Sequence, residues 1–344
     1  MSPANKIRVL IVDDSALVRH ILSETLSAEP DFEVVGTAAD PFVARDLILE
    51  RKPDVLTLDI EMPRMDGLTF LRKLMRYKPM PVVVISSLAQ ASCPATLQAL
   101  EEGAVEVLGK PSGPYSIGDL QKSLAGKLRA ASIARLRIVA KPAGTVPTAP
   151  RQTFRDHSIV AIGASTGGTE AVRRVLMELP ANFPATLVTQ HIPPVFSKAF
   201  SERLDQQCQL QVKEAEDGDE VRPGRVLVAP GGLHMLLRRS GTGWRVAVKD
   251  GPRVCYQRPS VDVLFSSVAE EAGAAATGVL LTGMGADGAA GMLQMRQSGA
   301  ATMAQDEESC VVFGMPREAI RLGAAQQVLP LDRIGGALLR HLAV

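Results

Sequence analysis

The run Arg8-Val9-Leu10-Ile11-Val12-Asp13-Asp14 is a mostly apolar strand with two carboxylates at its end. A strand apolar along its length, without polar alternation, is covered on both faces, as in a parallel sheet sandwiched between helices. Runs of the same kind recur at Glu33–Thr37, Val55–Leu58, Val82–Ile85 and Val105–Leu108. Helix-period segments lie between them. Ala16 to Leu26, for example, sets Leu17, Ile21, Leu22 and Leu26 on one face. Five strands alternating with helices over about 125 residues predict a doubly wound α/β domain.

In open α/β sheets ligands bind at the carboxyl ends of the strands. Here those ends carry Asp13 and Asp14 (strand one), Asp59 (strand three), Ser86 (strand four) and Lys110 before Pro111 (strand five). Carboxylates gathered at one edge repel unless a cation neutralises them, and a hard oxygen-ligated ion such as Mg²⁺ suits them. A lysine and a small hydroxyl beside them suit phosphoryl oxygens. The set predicts phosphoryl transfer onto a carboxylate, with Asp59 as nucleophile. A helix N-cap accounts for any one of these aspartates, but not for five residues so placed.

At 344 residues the chain is long for one domain, and a prior of ~150 residues per domain suggests two. A segment rich in proline and glycine (Pro142, Gly144, Pro147, Pro150) breaks the strand–helix rhythm. The predicted division is a first domain over 1–129, a linker over 130–156 and a second domain over 157–344. From Gln121 to Arg151 there are seven Lys/Arg and no acidic residue, which reads as a solvated helix and tether. In the second domain Ser158–Ile162, Ala185–Thr189, Thr277–Thr282 and Ala301–Ala304 read as buried parallel strands. Arg225–Ala229, Met235–Arg239 and Trp244–Lys249 read as an antiparallel meander, with Ser240-Gly241-Thr242-Gly243 closing its hairpin.

Gly163-Ala164-Ser165-Thr166-Gly167-Gly168 follows the first of these strands and opens a helix. A serine there stands at the sheet edge, where glycines let backbone N–H groups approach a reacting atom and the helix N-terminus favours negative charge. Of five histidines, only His191 directly ends a strongly apolar strand, with Pro193-Pro194 stopping the chain beyond it; His234 falls in the meander. Asp287, within Gly283-Met284-Gly285-Ala286-Asp287-Gly288, follows the strand Thr277–Thr282. The three residues share one sheet edge. Serine would attack, histidine would carry the proton, and aspartate would fix the tautomer.

Composition excludes other classes. Hydrophobic residues are 46% and charged residues 22%, as in a soluble globular protein. A net charge of +1 gives no global attraction to nucleic acid or anionic membrane, and 4% aromatics give no base-stacking platform. No apolar run reaches the ~18 residues of a membrane helix, and no signal core follows Met1, so a cytoplasmic location is expected. Cys93, Cys208, Cys255 and Cys310 form no C-x-x-C pair and read as buried thiols. A monomer is the default expectation.

The first domain resembles the flavodoxin-like receiver domain of two-component response regulators, over about residues 7 to 128. The resemblance rests on Asp13, Asp14, Asp59, Ser86 and Lys110 and on Met62-Pro63-Arg64-Met65-Asp66-Gly67. It implies Mg²⁺ on Asp13, Asp14 and Asp59, phosphorylation of Asp59, and phospho-sensing by Ser86 and Lys110. Receivers often carry a switch aromatic three residues before the lysine; Val107 stands there. The second domain resembles the chemotaxis protein-glutamate methylesterase domain, and receiver plus esterase is the CheB family architecture. That resemblance rests on 163–168, on Gln190-His191-Ile192-Pro193 and on Thr282-Gly283-Met284-Gly285-Ala286-Asp287-Gly288. It implies Ser165, His191 and Asp287 as the triad, Thr166 near the reaction centre, and the Met284 backbone N–H for the oxyanion. It further implies glutamate γ-methyl esters of methyl-accepting chemotaxis receptors as substrate, deamidation of receptor glutamines, and no cofactor for the esterase. It implies phosphorylation by the chemotaxis histidine kinase, which lifts a block imposed by the receiver on the active site.

Gly283, Gly285 and Gly288 also spell a dinucleotide fingerprint, with Asp306 18 residues after Gly288. This ranks second, because Asp287 inside the loop would repel a pyrophosphate. A regulator whose second domain only binds partners is a third class, without a basic recognition helix to support DNA output.

Overall fold

A computed structural model describes residues 6–87, 93–110, 114–136 and 153–344; for 114–122 only the backbone is described. The chain forms two compact units. The first runs β1 (Ile7–Val12), α1 (Ala16–Ser27), β2 (Phe32–Ala38), α2 (Pro41–Arg51), β3 (Val55–Asp59), α3 (Gly67–Tyr77), β4 (Val82–Ser86), α4 (Cys93–Glu101), β5 (Glu106–Gly109) and α5 (Pro114–Ser132). Its sheet has the order β2-β1-β3-β4-β5, parallel throughout. β3 and β4 are buried at every position, which is why they read as unbroken apolar runs. The order reverses at β1, so the crevice beyond β1 and β3 is where a ligand belongs.

α1 buries Leu22, Thr25 and Leu26. Leu17, expected on that face, is 67% exposed. It lies in the first turn of α1, just after Asp13 and Asp14. α5 continues to Ser132, past the boundary expected at 129.

The second unit runs β6 (Ile159–Ala164), α6 (Gly168–Met177), β7 (Ala185–Gln190), α7 (Pro194–Gln207), β8 (Gln211–Glu214), β9 (Glu220–Val221), β10 (Arg225–Val228), β11 (His234–Ser240), β12 (Gly243–Lys249), α8 (Val261–Ala272), β13 (Ala276–Leu280), α9 (Ala289–Gln297), β14 (Ala301–Gln305), α10 (Met315–Arg321), β15 (Gln327–Leu329) and α11 (Leu331–Leu342). Seven strands form a parallel sheet in the order β15-β14-β13-β6-β7-β10-β8. From β6 the chain winds to one side through β7, then returns to add β13 on the other. β6 and β13 therefore flank the switch point.

The meander is smaller than expected. β10, read as its first strand, is instead parallel between β7 and β8. Its Val226, Leu227 and Val228 are all buried, as a strand covered on both faces requires. The antiparallel sheet is β11-β12-β9. Its hairpin pairs Ser240 with Gly243 around Gly241-Thr242, and Gly241 takes the positive φ of a tight hairpin turn. Pro193 does not end the chain's regular structure but precedes α7, with Pro194 in its first turn. Phe154 forms an isolated antiparallel bridge with Ala343, so a residue expected in the linker joins the second unit just after α11. Among the cysteines, Cys93 and Cys310 are buried, whereas Cys208 is half-buried and Cys255 is exposed.

The second core gathers Leu187, Leu237, Val261, Leu264, Phe265, Met292 and Met295 with the inner faces of the strands. Burying side chains of this size contributes roughly 1.5–3 kcal/mol each. α8 is central to it, burying Val261, Leu264, Phe265 and Val268. The N-terminus of that same helix reaches the site described next.

Candidate functional site

The first unit brings Asp13, Asp14, Asp59, Ser86 and Lys110 to the carboxyl edge of its sheet. Asp13, Asp59 and Ser86 are buried, Asp14 is exposed, and Lys110 is half-buried between them. Carboxylate oxygens of Asp13, Asp14 and Asp59 all lie within 4.8 Å of one another. Lys110 Nζ sits 2.7 Å from Asp59 Oδ2 and 3.0 Å from Asp13 Oδ2. Lys110 is thus paired with both carboxylates, and neither Oδ2 has another hydrogen-bond partner among the described residues. The inner oxygens are held by the backbone: Ser15 N–H donates to Asp13 Oδ1 at 2.9 Å and Glu61 N–H to Asp59 Oδ1 at 3.1 Å. Burial pushes Asp59 up to about 6; the Asp13 charge adds to this, and Lys110 opposes it. Burial likewise raises Asp13 against the pull of Lys110. Three clustered carboxylates, two of them buried, are an all-oxygen set that fits a hard divalent cation.

The loop after β3 passes very close to its end. Gly67 N–H donates to the Ile60 carbonyl, and a Cβ on Gly67 would lie 2.0 Å from the Asp59 carbonyl oxygen. Only glycine fits. Ser86 Oγ accepts a hydrogen bond from Thr96 Oγ at 2.8 Å, a partner that sequence reading missed and for which no local signal exists. Val107 is buried, in keeping with the missing aromatic at that position.

In the second unit Ser165 follows β6, His191 follows β7 and Asp287 follows β13, so the three stand beside the switch point. His191 Nε2 is 2.8 Å from Asp287 Oδ2, and both side chains are buried. With its proton on Nε2 facing the carboxylate, His191 has a lone pair on Nδ1, and this buried atom has no hydrogen-bond partner among the described residues. Ser165 is fixed through its backbone. Its N–H donates to the Thr282 carbonyl (3.0 Å) and its carbonyl accepts from Gly168 N–H (2.7 Å) and Gln190 Nε2 (2.8 Å). Gly167, at φ +75°, begins α6, and a Cβ there would lie 2.6 Å from Val311.

Asp287 is fully engaged. Oδ1 accepts from Ser260 Oγ (2.7 Å) and Asp262 N–H (3.0 Å); Oδ2 accepts from Val261 N–H (2.7 Å) besides His191. Burial alone would raise its pKa, but His191 and the two backbone N–H groups hold it below the usual carboxylate range. Thr282 Oγ accepts Val312 N–H (2.9 Å) and donates to the Thr166 carbonyl (3.0 Å), tying the β13 loop to the serine turn. Thr166 is buried beside the serine. Met284 is 39% exposed, and its N–H has no acceptor among the described residues. Sequence reasoning missed Ser260, Gln190's grip on Ser165, and Thr282. Asp306, which the dinucleotide reading needs for a ribose, instead accepts from Ser309 N–H and Oγ.

The fold and these two sites define a class: a response regulator with an enzymatic output domain. Two family models match, the response regulator receiver domain over residues 9–121 and CheB methylesterase over 160–338. A protein-glutamate methylesterase/protein-glutamine glutaminase of Syntrophus aciditrophicus is 54% identical over 98% of this chain and 99% of its own length. One from Salmonella typhimurium is 54% identical over 98% of both chains. The crystal structure of the Thermotoga maritima CheB methylesterase catalytic domain is 40% identical, with a TM-score of 0.53, and covers 55% of this chain and 100% of that one. The chain belongs to the CheB methylesterase family. No helix among its described residues is long and apolar enough to cross a membrane.

Proposed function

We propose that this chain is a phosphorylation-activated protein-glutamate methylesterase and protein-glutamine glutaminase acting on methyl-accepting chemotaxis receptors. The observation that carries the reading is the His191–Asp287 pair at 2.8 Å, with His191 Nδ1 buried and unpartnered among the described residues, beside the strand end that bears Ser165. Ser165 Oγ attacks the γ-carbonyl carbon of a glutamate methyl ester while its proton passes to His191 Nδ1. Asp287 stabilises the imidazolium that forms. The developing oxyanion is met by the Met284 N–H, a donor of a kind typically worth ~3 kcal/mol in the transition state. Collapse expels the methoxy group, which takes the proton from His191 and leaves as methanol. Water, deprotonated by His191, then hydrolyses the acyl-enzyme to a glutamate carboxylate and restores Ser165. A glutamine side chain follows the same path and releases ammonia.

The receiver takes its phosphoryl group on Asp59 from the chemotaxis histidine kinase. Asp13, Asp14 and Asp59 would hold Mg²⁺, which when bound neutralises phosphoryl charge. Lys110 and Ser86 bind the phosphoryl oxygens. Methanol release from methyl-labelled chemoreceptor membranes tests the proposal. Wild type releases methanol, phosphodonor raises the rate, and Ser165→Ala releases none while still accepting phosphate at Asp59. Equal release by Ser165→Ala would refute the serine mechanism.

A further inference from the structure

His234 stands at the start of β11 and is 5% exposed. Its Nδ1 accepts the backbone N–H of Ser260 at 3.2 Å, so its proton lies on Nε2, which donates to the Pro252 carbonyl at 2.9 Å. The ring is thus a clamp between the loop that leads into α8 and the N-cap residue of that helix. Gly251 packs on its edge: a Cβ there would lie 3.3 Å from Cδ2. Ser260, itself fully buried, is the N-cap of α8. An N-cap serine ordinarily uses its oxygen to accept a backbone N–H from its own helix. Here that contact, from Val263 N–H, is long at 3.4 Å, while the hydroxyl proton goes to Asp287 Oδ1 at 2.7 Å. Together with Val261 and Asp262 N–H, the helix start supplies three of the four hydrogen bonds on the Asp287 carboxylate, and His191 supplies the fourth.

We propose that Ser260 and His234 are positioning residues of the esterase: His234 locks Ser260, and Ser260 with the first turn of α8 aims and holds the Asp287 carboxylate toward His191. The inference rests on the Ser165–His191–Asp287 reading. Without the Ser260 hydroxyl, the carboxylate keeps its charge with one donor fewer. It becomes a stronger base and holds the imidazolium proton more tightly, while Oδ1 keeps only the Asp262 N–H to hold the carboxylate in line. The acid limb of activity then moves to higher pH and the rate falls. Among the described residues the charged and titratable groups facing Asp287 are His191, Asp262 and Cys255, and the substitutions below alter none of them.

The experiment is fluorophosphonate labelling of the full chain across pH, which reads Ser165 activation without a receptor. Ser260→Ala is expected to slow labelling about tenfold to hundredfold, the weight of one hydrogen bond to a charged group, and to raise the acid-limb pH. Ser260→Thr keeps the hydroxyl and is expected to label within about threefold of wild type. His234→Leu reproduces the Ser260→Ala phenotype, and His234→Asn, whose amide oxygen can take the place of Nδ1, stays near wild type. Wild-type labelling rates and acid limb in Ser260→Ala overturn the inference. So does a slower rate with an unmoved acid limb, since simple destabilisation gives that result. Wild type that does not label at all, even with a phosphodonor and Mg²⁺ present to activate it, removes the triad reading and this inference with it.

Discussion

At the residue scale, charge placement decides most of what these sites do. Asp59 is the clearest case. Its carboxyl is raised from 3.8 to about 6 by burial, with Asp13 adding to the effect. A carboxyl whose pKa is higher folded than unfolded binds its proton more tightly in the folded state. Its contribution to stability is therefore greatest below 3.8 and falls as pH rises toward 6. Asp59→Asn, measured without divalent cation, should stabilise the first unit by about 1–3 kcal/mol at neutral pH. The gain should vanish near pH 4, where the native aspartate is already protonated; thermal melts at the two pH values check it. Gln190 is the second case. Its Nε2 holds the Ser165 carbonyl at 2.8 Å from within the core. Gln190→Ala frees the serine turn and leaves that carbonyl short of a donor, at a cost of about 1–3 kcal/mol. Ester turnover should fall at least about tenfold for such a loss in the transition state, with phosphorylation at Asp59 unchanged. Residues of this kind divide by legibility. Ser165 and His191 could be placed at the sheet edge because each directly follows a buried strand, and Asp287 because it lies in the glycine-rich loop after β13. Ser260 and His234 could not, because they act on groups 26 and 27 residues away that only the folded chain brings near.

At the scale of elements, the parallel strands were legible and their partners were not. β3, β4, β6 and β7 are buried at every position and read directly as apolar runs. β8 and β15 carry exposed, polar edge patterns and gave no such signal. β10 shows the remaining ambiguity, since a four-residue apolar run fits a parallel strand and a meander equally well until its neighbours are known. Leu17 shows the complementary error: helical spacing locates a face but not where the core beneath it ends. α8 links packing to chemistry, because the helix that buries Phe265 also presents Val261 and Asp262 N–H to Asp287. Phe265→Ala should therefore destabilise the second unit by about 3–5 kcal/mol. Esterase activity should disappear at a lower temperature than in wild type, while Asp59 still accepts phosphate at that temperature. Loss of both activities together would show that the helix is not specific to the esterase core. The turn after β3 is equally tied to function. Gly67→Ala drives a Cβ against the Asp59 carbonyl and should abolish phosphorylation while leaving serine labelling intact.

At the scale of the whole molecule, two sites of different chemistry are built on the same plan. Each lies at the carboxyl edge of a parallel sheet, where strand order reverses and helix N-termini and backbone N–H groups converge. One is suited to accept a phosphoryl group on a buried carboxylate. The other is suited to break an acyl bond with a serine. Within each unit the residues of its site are held by that unit's own backbone and core, so each chemical step can be removed without removing the other. The coupling between them is what regulation requires, and a pair of variants isolates it. Asp59→Asn cannot form the acyl phosphate, so phosphodonor should leave its methanol release at the basal rate while raising that of wild type. Its basal rate should match that of unphosphorylated wild type, because Ser165, His191 and Asp287 are untouched. Lys110→Ala separates phosphorylation from its readout: it keeps Asp59 as acceptor and removes the cation that pairs with it at 2.7 Å. It should still take up phosphate yet gain little activity from it. Full activation of the Lys110 variant would mean that the signal leaves Asp59 by another route, with Ser86 and its partner Thr96 the next residues to test.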